Sequence, residues 1–472
     1  MHLWLVAYDF PPIPSPQALH WAYLARELVR AGHRVEVIAP DVPGYGPGGL
    51  PELPPQVRVH RVEPGRVTRL LVGRRGATAV NGRTAGRPVP ELDAVNEKGA
   101  DSHDCGTAPT ASDQVPVAVK LNWKGRLRLR VMNLLGLRPG LNWKGQLAEY
   151  AKSLMSRWMF PDYRAEWIPS ATAKLDELLA VERPDVVVVS HEPACSLPVG
   201  LHAARCGVPL AVDMGDPVLA NYTPKRRRKQ AFSLERAVCL EASLISVTTK
   251  AAADLLRSRH GLPEGKVVVV EQGFDPSFDP TSVKDPIEFE KDKLELLYTG
   301  SFYSFRRAEA LLDAVLNVPD VRLNVASISV PDYLFEASEA APDKIRLLGY
   351  ISHCSALAAQ RHSDVLVNIA NADPVQVPGK FYEYLGAGKP FLHLSSDGGD
   401  ATSMEVHRLG VGWTPASDVD ELSELLSLLV QRKQASLPLF VSEPSRDIAR
   451  FSWAALADRW ASAWAKYAEE RR

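Results

Sequence analysis

Short apolar runs alternate with longer amphipathic stretches through the first part of the chain. Residues 2–8 form an apolar run, and a Pro-rich loop at residues 10–16, an amphipathic stretch at residues 18–31 and a second apolar run at residues 34–39 follow it. Short apolar runs bounded by turn residues are typical of buried strands, and an apolar period of about 3.6 residues is typical of helices. The order strand, helix, strand predicts a βαβ unit and therefore a parallel sheet.

The alternation continues far enough to predict an α/β fold with two doubly wound domains. The first spans residues 1–285, and the second spans residues 286–444 after a Pro-rich, charged linker. Residues 445–472 predict a helix that Trp453, Trp460 and Trp464 make apolar enough to need a packing partner, and we expect it to pack back on the N-terminal domain. Further strands of the first domain are predicted at residues 184–190, 208–212, 242–248 and 266–271, and the second domain begins with a strand at residues 294–298.

Two adjacent segments break the alternation. Residues 71–118 are rich in Gly, Arg, Thr, Pro, Asp and Ser and have almost no apolar period, which predicts a disordered insertion. Residues 120–145 form a basic segment with interleaved leucines and no acidic residue between Lys120 and Lys144. A basic amphipathic stretch can lie on an anionic membrane, and the alternative is a helix that packs its leucines inside the domain.

The composition excludes several classes of protein. A formal net charge of -1 argues against a protein that is basic overall and coats nucleic acid. The five cysteines form no C-x-x-C pair, so neither a disulfide framework nor a zinc site is indicated, and a reduced, cytoplasmic setting is favoured. The start at residues 1–8 predicts a strand rather than a signal peptide, and no run approaches the roughly 18 to 20 apolar residues of a membrane span. We expect any membrane contact to be peripheral.

The strongest candidate chemistry lies at residues 378–389, which read Pro-Gly-Lys-Phe-Tyr-Glu-Tyr-Leu-Gly-Ala-Gly-Lys. Lys380 and Glu383 are three residues apart, a spacing that places two side chains on one face of a helix. The flanking glycines allow a ligand to approach the backbone. A cation and a carboxylate there could hold the diphosphate and the hydroxyls of a nucleotide sugar, and the alternative is a surface helix with an ordinary ion pair.

The order of several short motifs resembles family 4 of the GT-B glycosyltransferases. These motifs include Phe10-Pro-Pro after the first strand, Glu271-Gln-Gly-Phe-Asp before the linker, Tyr298-Thr-Gly-Ser in the second domain and Lys380-Phe-Tyr-Glu-Tyr-Leu. The resemblance covers nearly the whole chain except about residues 50–150. It implies two Rossmann-like domains facing across a cleft, with the nucleotide sugar on the C-terminal domain and the acceptor on the N-terminal domain.

The resemblance also implies an activity. It implies a retaining hexosyltransferase-like enzyme that moves a sugar from a nucleotide-sugar donor to a hydroxyl acceptor, with neither a metal nor another cofactor. A glycan or lipid-linked acceptor in cell-envelope polysaccharide or glycolipid synthesis follows from the resemblance together with the basic segment. The setting expected is cytoplasmic, at the inner face of the membrane, without nucleic acid as a partner.

Donor-binding residues are carried over from the resemblance one at a time. Gly300, beside Ser301, is followed six residues later by Arg306, which resembles the family's diphosphate contact, and a guanidinium fork suits phosphate oxygens. The alternative for Arg306 is a solvated arginine at a helix start, and adjacent Arg307 can exchange roles with it.

The helix motif supplies the other donor contacts. Lys380 resembles a second phosphate contact or a group near the transferred sugar, and Glu383 resembles the carboxylate that accepts the ribose hydroxyls. Gly379 and Phe381 flank Lys380 and are included in the donor site.

In the N-terminal domain, His191 ends a predicted strand and resembles the family histidine near the donor sugar, although a bonded structural histidine is the alternative. Asp213 and Asp216 follow the next strand and are candidates for acceptor or sugar hydroxyls, with turn formation as the alternative. Together His191, Arg306 and Lys380 are the predicted catalytic residues.

Two departures from the family pattern affect the donor site. Val375 stands eight residues before Glu383, where relatives have a glutamate that contacts the sugar, and Asp373 or the backbone after Val377 is the available substitute. Pro14-Ser-Pro-Gln17 replaces the Gly-Gly loop of many relatives, so close backbone approach to the donor is less expected there.

Two charged motifs are assigned ordinary roles or left open. Asp418 and Asp420 have the D-x-D spacing of metal-binding glycosyltransferases, but they precede an amphipathic stretch where Asp caps a helix, so no metal is predicted. Residues 226–229 are a basic run that is either a solvated surface or a patch for lipid phosphate or nucleic acid.

Other functions are distinguished by specific features. A non-catalytic sugar-nucleotide-binding or scaffolding subunit of a glycan assembly complex is the alternative that Val375 allows. A dinucleotide-dependent oxidoreductase requires Gly-x-Gly-x-x-Gly after a first strand. Neither the loop at residues 8–17 nor the loop at residues 300–306 contains this motif.

Overall fold

The protein is described by a computed structural model that covers residues 1–42, 50–66, 68–69, 159–221, 223–283, 285–302, 307–371, 376–395, 399–441 and 445–469. The predicted insertion at residues 71–118 and the basic segment at residues 120–145 lie outside the described residues, as do Arg306, Asp373 and Val375.

A seven-stranded parallel sheet forms the N-terminal domain, in the order β3-β2-β1-β4-β5-β6-β7. The strands are β1 (His2–Val6), β2 (Arg34–Pro40), β3 (Arg58–Val62), β4 (Val186–Ser190), β5 (Leu210–Met214), β6 (Leu244–Val247) and β7 (Val267–Val269). The helices are α1 (Pro16–Arg30), α2 (Ile168–Leu179), α3 (Ser196–Arg205), α4 (Arg228–Glu241) and α5 (Lys250–His260).

Helices cover both faces of this sheet, which explains why its central strands are apolar throughout. All five residues of β4 are buried. Successive side chains of β1 enter different clusters, with Leu3 and Leu5 on one face and Trp4 and Val6 on the other. Strands of a parallel sheet buried on both faces form continuous apolar runs, which is the pattern that the sequence presents.

A six-stranded parallel sheet forms the C-terminal domain, in the order β10-β9-β8-β11-β12-β13. The strands are β8 (Leu294–Thr299), β9 (Val321–Ala326), β10 (Ile345–Leu347), β11 (Val365–Ile369), β12 (Phe391–Leu394) and β13 (Gly412–Trp413). The helices are α6 (Glu309–Asn317), α7 (Asp332–Ala340), α8 (His353–His362), α9 (Gly379–Ala387), α10 (Ala401–Leu409) and α11 (Val419–Gln434).

Both sheets change winding direction at one central pair of strands. The pair is β1 and β4 in the N-terminal sheet, and β8 and β11 in the C-terminal sheet. In open α/β sheets, ligands bind beyond the carboxyl ends of the strands at this switch point. The architecture confirms the predicted fold class and indicates two places for a ligand, one in each domain.

The chain crosses between the domains twice, and the two crossings run side by side. Phe274 lies on the outward crossing and forms a parallel bridge with Ser452 on the return crossing. Its backbone N–H donates to the Phe451 carbonyl at 3.1 Å, and its carbonyl accepts from the Trp453 N–H at 3.0 Å. These hydrogen bonds tie the two crossings into one connection.

The return crossing leads into α12 (Trp453–Glu469), which packs on the N-terminal domain. Trp453 stacks on Tyr23 of α1 with ring centroids 5.2 Å apart, and Trp460 contacts Trp21 edge-on at 6.4 Å. Trp453, Trp460 and Trp464 are all buried in the same cluster as the β1 and α1 side chains. The helix therefore supplies part of the N-terminal core. None of the helices in the described ranges has the length and apolar character that a membrane span requires.

Candidate functional site

Lys380 occupies the switch point of the C-terminal sheet. It lies in the first turn of α9, and its Nζ is 3.4 Å from the carbonyl oxygen of Thr299, the last residue of β8. The ammonium also lies 3.8 Å from the centre of the Tyr298 ring. A cation at this distance over an aromatic face is attracted by the ring's negative face. The side chain is therefore held at the carboxyl end of β8, where the sheet topology predicts a ligand.

Gly300 lies beside this lysine in a backbone conformation that favours glycine. Its φ of +128° is a conformation that L side chains rarely adopt. A Cβ at this position would lie 3.6 Å from Lys380 Nζ and 3.7 Å from its Cδ. Both distances are ordinary van der Waals contacts, so the positive φ, and not crowding by Lys380, is what favours glycine here.

Tyr384 fixes the base of the site. Its hydroxyl accepts a hydrogen bond from the Thr299 N–H at 3.1 Å and lies 3.2 Å from the Val367 carbonyl, to which it donates. The ring is fully buried, and burial raises the pKa of this phenol well above its ordinary value. One side chain of α9 therefore joins β8 to β11 below Lys380.

Glu383, one turn beyond Lys380, lies toward α8 and the domain connection. Its Oε1 is 3.8 Å from His353 Nδ1, and its side chain keeps 25% of its exposure. It lines a small cavity together with Asp275, Gln360 and Arg361. Its charge also contributes, after burial, to raising the pKa of Tyr23 in α1 of the opposite domain. Glu383 therefore remains open to a ligand at the edge of the cleft.

The other predicted donor residues differ in how exposed they are. The Ser301 carbonyl accepts from the Tyr298 hydroxyl at 2.8 Å, and Arg307 is exposed before α6. Gly379 is exposed at the start of α9, whereas Phe381 is fully buried against Phe391, with ring centroids 5.5 Å apart. The structure thus gives Phe381 a packing role in the C-terminal core, and Arg306 lies outside the described residues.

His191 directly follows β4, at the switch point of the N-terminal sheet. The imidazole is 6% exposed, and its Nδ1 has no hydrogen-bond partner among the described residues. Burial lowers the pKa of His191 to about 4, although Glu235 and the backbone of Asp216 act in the opposite direction. The ring is therefore neutral at neutral pH.

Asp213 is an internal hydrogen-bonding centre. Its Oδ2 accepts from Gln17 Nε2 and from Trp21 Nε1, both at 2.9 Å, and its Oδ1 accepts from the Ser246 hydroxyl at 2.7 Å. The residue is 3% exposed. Both of its carboxylate oxygens already accept hydrogen bonds from the protein, and these bonds join α1 to β5 and β6. The predicted contact of Asp213 with an acceptor stays a prediction.

Asp216 lies at the interface of the two domains. Gln376 Nε2, from the loop before α9, donates to its Oδ1 at 3.2 Å. This contact joins the loop of the predicted donor site directly to the N-terminal domain. The residue is half-buried beside Gly215, at the carboxyl end of β5.

Glu192 is a cleft residue that the sequence analysis missed. It follows His191 with a φ of +73°, and its Oε2 lies 3.5 Å from the position that a Cβ on Gly215 would take. Enclosure by the surrounding protein, with Asp216 and Asp9 as nearby negative charges, raises the pKa of Glu192 to about 8. The side chain is nevertheless exposed. Its position next to a strand-end histidine is the signal that could have identified it.

Potential metal ligands in the described residues lie away from the cleft. One group comprises Asp176, His202 and Cys206, and the other comprises His2, Glu36 and Glu182. His2 begins β1 and so lies at the amino ends of the strands, opposite the carboxyl ends that face the cleft. Asp418 Oδ1 accepts from the backbone N–H groups of Asp420 and Glu421, both at 3.0 Å, which confirms the predicted helix cap.

The comparisons with known proteins concern one segment of the chain and the overall fold. Residues 152–273 match the model of the family described as glycosyl transferase 4-like domain. That range includes His191, Glu192, Asp213 and Asp216. No curated protein sequence matches the chain.

Solved structures show the same two-domain arrangement over the whole chain. Sucrose-phosphate synthase from Thermosynechococcus elongatus has a TM-score of 0.58 at 13% identity, with 99% of this chain and 98% of that chain covered. S. aureus TarM, in complex with fondaparinux, alpha-GlcNAc-glycerol and UDP, has a TM-score of 0.56 at 9% identity, with 98% and 99% covered. UDP-GlcNAc 2-epimerase from Neisseria meningitidis, bound to UDP-GlcNAc, has a TM-score of 0.51 at 12% identity, with 99% and 100% covered. At these identities the likeness shows the fold.

Proposed function

Because the chain has the GT-B fold and residues 152–273 match a glycosyl transferase 4-like domain, we propose that it is a retaining glycosyltransferase. In this proposal a sugar passes from a nucleotide-sugar donor to a hydroxyl group of an acceptor. The donor lies at the switch point of the C-terminal sheet, and the acceptor lies at the switch point of the N-terminal sheet.

The observation that carries the proposal is the position of Lys380. Its ammonium lies at the carboxyl end of β8, beside a glycine that leaves the backbone accessible. It also stands in the first turn of α9, where the helix dipole favours an anion. A diphosphate is the part of a nucleotide sugar that fits these features.

The chemistry follows from where charge develops. As the glycosidic bond to the donor phosphate breaks, negative charge builds on the leaving diphosphate, and Lys380 stabilises it. Arg306 is the proposed second cation. Loss of one such contact costs about 2.7 to 4 kcal/mol, or roughly 100- to 1000-fold in rate, by analogy with a lost oxyanion donor.

In this proposal, residues of both domains contact hydroxyl groups. His191 is neutral at neutral pH, because its pKa is lowered to about 4, so it orients hydroxyls by hydrogen bonding rather than by charge. Glu383 accepts the ribose hydroxyls, in keeping with its partial exposure at the cleft edge. The acceptor oxygen bonds to the anomeric carbon on the face from which the diphosphate leaves, and its hydroxyl proton passes to a leaving phosphate oxygen, so the configuration is retained.

A thermal-shift screen against a nucleotide-sugar panel tests the donor. A bound donor raises the thermal midpoint of the wild-type protein. Once the donor is known, we expect Lys380→Ala to lower turnover about 100- to 1000-fold while the fold survives. Lys389→Ala is the matched control, since Lys389 lies just past the C-terminal end of the same helix. Wild-type turnover in Lys380→Ala would overturn the assignment of the cation.

Product stereochemistry tests retention. We expect the anomeric configuration of the donor in the product, as measured by NMR coupling constants. An inverted product would reject the retaining mechanism and leave the transferase assignment intact.

We further propose that the acceptor is a glycan or a lipid-linked molecule at an anionic membrane surface on the cytoplasmic side. An exposed basic surface around the start of α4 supports this: Lys225, Arg226, Arg228 and Lys229 are exposed. On the same helix, one turn after Arg228, Phe232 is 36% exposed. Basic side chains beside exposed apolar ones suit an anionic interface.

Vesicle sedimentation tests the membrane contact. We expect the full chain to sediment with anionic vesicles and not with neutral ones, and replacement of these four basic residues by glutamine to weaken sedimentation. Absence of binding to anionic vesicles would remove the support for a membrane-bound acceptor.

The non-catalytic alternative rests on Val375, which replaces the family's first glutamate. Donor hydrolysis separates the two functions, because an enzyme of this kind slowly releases nucleotide without an acceptor. A protein that binds the donor tightly and releases no nucleotide would favour the binding or scaffolding function.

A further inference from the structure

Three metal-ligating atoms meet on the outer surface of the N-terminal domain. They are Oδ1 of Asp176 on α2, Nε2 of His202 on α3, and Sγ of Cys206 at the end of α3, all within 4.8 Å of one another. We call this group the α2–α3 triad. It lies among helices on the outer face and takes no part in the proposed transfer.

The helix geometry brings two of the three side chains of the triad together. His202 and Cys206 are four residues apart, which places them on one face of α3. His202 Nε2 lies 2.7 Å from Asp176 Oδ1 and 3.6 Å from Cys206 Sγ. The same ring nitrogen therefore faces both the oxygen and the sulfur.

The nitrogen–sulfur distance is close to that of a tetrahedral zinc site. Zn–N and Zn–S bonds of about 2.0 and 2.3 Å at a tetrahedral angle separate nitrogen from sulfur by about 3.5 Å. The observed nitrogen–sulfur distance is 3.6 Å. Only the oxygen has to move away from the nitrogen, and Asp176 is an exposed side chain that can do so.

The charges around the triad also favour a cation. Within the described part of the chain, no lysine or arginine side chain pairs with the Asp176 carboxylate. By contrast, in the group formed by His2, Glu36 and Glu182, Arg34 already pairs with both carboxylates, at 2.5 and 2.7 Å. Arg183 lies near the triad but donates to the backbone carbonyl of Cys206 rather than to its thiol.

We propose that the α2–α3 triad binds a Zn²⁺ ion, with water as the fourth ligand. His202 ligates as a neutral imidazole with its proton on Nδ1, and Cys206 ligates as a thiolate after its thiol proton passes to solvent. The half-exposed position provides both the entry path and the water. The ion links α2 to α3 through its ligands and stabilises the domain. It takes no part in the proposed transfer.

Metal titration of the reduced, metal-free full chain tests the site. With Co²⁺ as a spectroscopic probe, we expect one ion per chain and a thiolate-to-cobalt charge-transfer band. With Zn²⁺, we expect saturable binding by calorimetry and a higher thermal midpoint. Cys206→Ala is expected to abolish the band, and His202→Ala to weaken binding at least 10- to 100-fold, the cost of losing even an outer-shell partner.

Two variants serve as controls. Cys354→Ala removes a half-buried cysteine of the C-terminal domain, and His2→Ala removes the histidine of the other group, and both are expected to bind like wild type. Absence of the band in the wild type would overturn the proposal. So would a band that survives in Cys206→Ala or disappears in Cys354→Ala. Circular dichroism of each variant shows whether it is folded before titration.

Discussion

The side-chain amide of Gln376 donates a hydrogen bond of 3.2 Å to Asp216 and so joins the two domains across the cleft. Gln376 belongs to the loop before α9, and Asp216 to the loop after β5. Opening the cleft to admit a substrate would lengthen or break this hydrogen bond. The Gln376–Asp216 pair is therefore a test of how closely the two domains approach each other.

Gln376→Glu is expected to favour a more open arrangement of the domains. The substitution nearly preserves shape but places a carboxylate against the Asp216 carboxylate, and like charges this close repel. Small-angle X-ray scattering should show a larger radius of gyration than in the wild type, most clearly at low salt.

Gln434→Glu is the matched control for that experiment. Gln434 donates to Asp320 at the same distance of 3.2 Å, but both residues lie on the surface of the C-terminal domain. We expect no change in the radius of gyration for this variant. An equal expansion in both variants would show that Gln376 has no special effect on closure.

Glu383→Ala is expected to weaken nucleotide binding about 10- to 100-fold, because a hydrogen bond to a charged group contributes about 1.5 to 3 kcal/mol. Calorimetry with the free nucleotide identified in the donor screen measures the effect. Glu424→Ala, an exposed glutamate on α11, is the control. Unchanged affinity in Glu383→Ala would remove this residue from the donor site.

Glu192→Gln is expected to become more stable relative to the wild type as the pH rises. The pKa of Glu192 is raised to about 8, so the folded state holds this proton more tightly than the unfolded chain does. The resulting stability is fully present below the ordinary glutamate pKa and is lost as the pH rises through about 8. The thermal midpoint of Glu192→Gln minus that of the wild type should therefore grow as the pH rises from the ordinary glutamate pKa to about 8, and should level off above that.

The control for the pH series is Glu241→Gln, an exposed glutamate at the end of α4. We expect its difference from the wild type to stay flat over the same range. A flat difference for Glu192→Gln as well would contradict the raised pKa.

Asp213→Asn is expected to destabilise the N-terminal domain by about 3 kcal/mol. It removes the charge that accepts three hydrogen bonds and turns one acceptor into a donor facing other donors. Denaturant unfolding measures the loss. Asp254→Asn, on the surface of α5, is the control, and loss of its exposed ion pairs should cost about 1 kcal/mol or less. A stable but inactive Asp213→Asn would instead favour a direct role with the acceptor.

Much of the fold could be predicted because parallel strands buried on both faces are apolar throughout. The valine run of β4 shows this directly. The edge strand β3, with the sequence Arg-Val-His-Arg-Val, was not predicted, since its residues are only partly buried and alternate with charges. Apolar periodicity identifies strands because their side chains are buried, and the side chains of an edge strand are less buried.

The site was harder to predict because its parts come from distant segments. Lys380 and Glu383 lie within one recognisable helix motif, but Asp9, Glu192 and Asp216 approach one another only when the loops after β1, β4 and β5 meet. The opposite problem arises for Asp213. Its strand-end position predicts exposure in the cleft, yet Gln17 and Trp21 from α1 cover it.

The two crossings between the domains also set an order for folding during synthesis. Trp460 and Trp464 complete the core around Trp21, but they are translated only after the entire C-terminal domain. On the ribosome, the strands of the N-terminal domain therefore emerge before the helix that covers this face of α1 has been made. The N-terminal core is completed only after both domains have been synthesised.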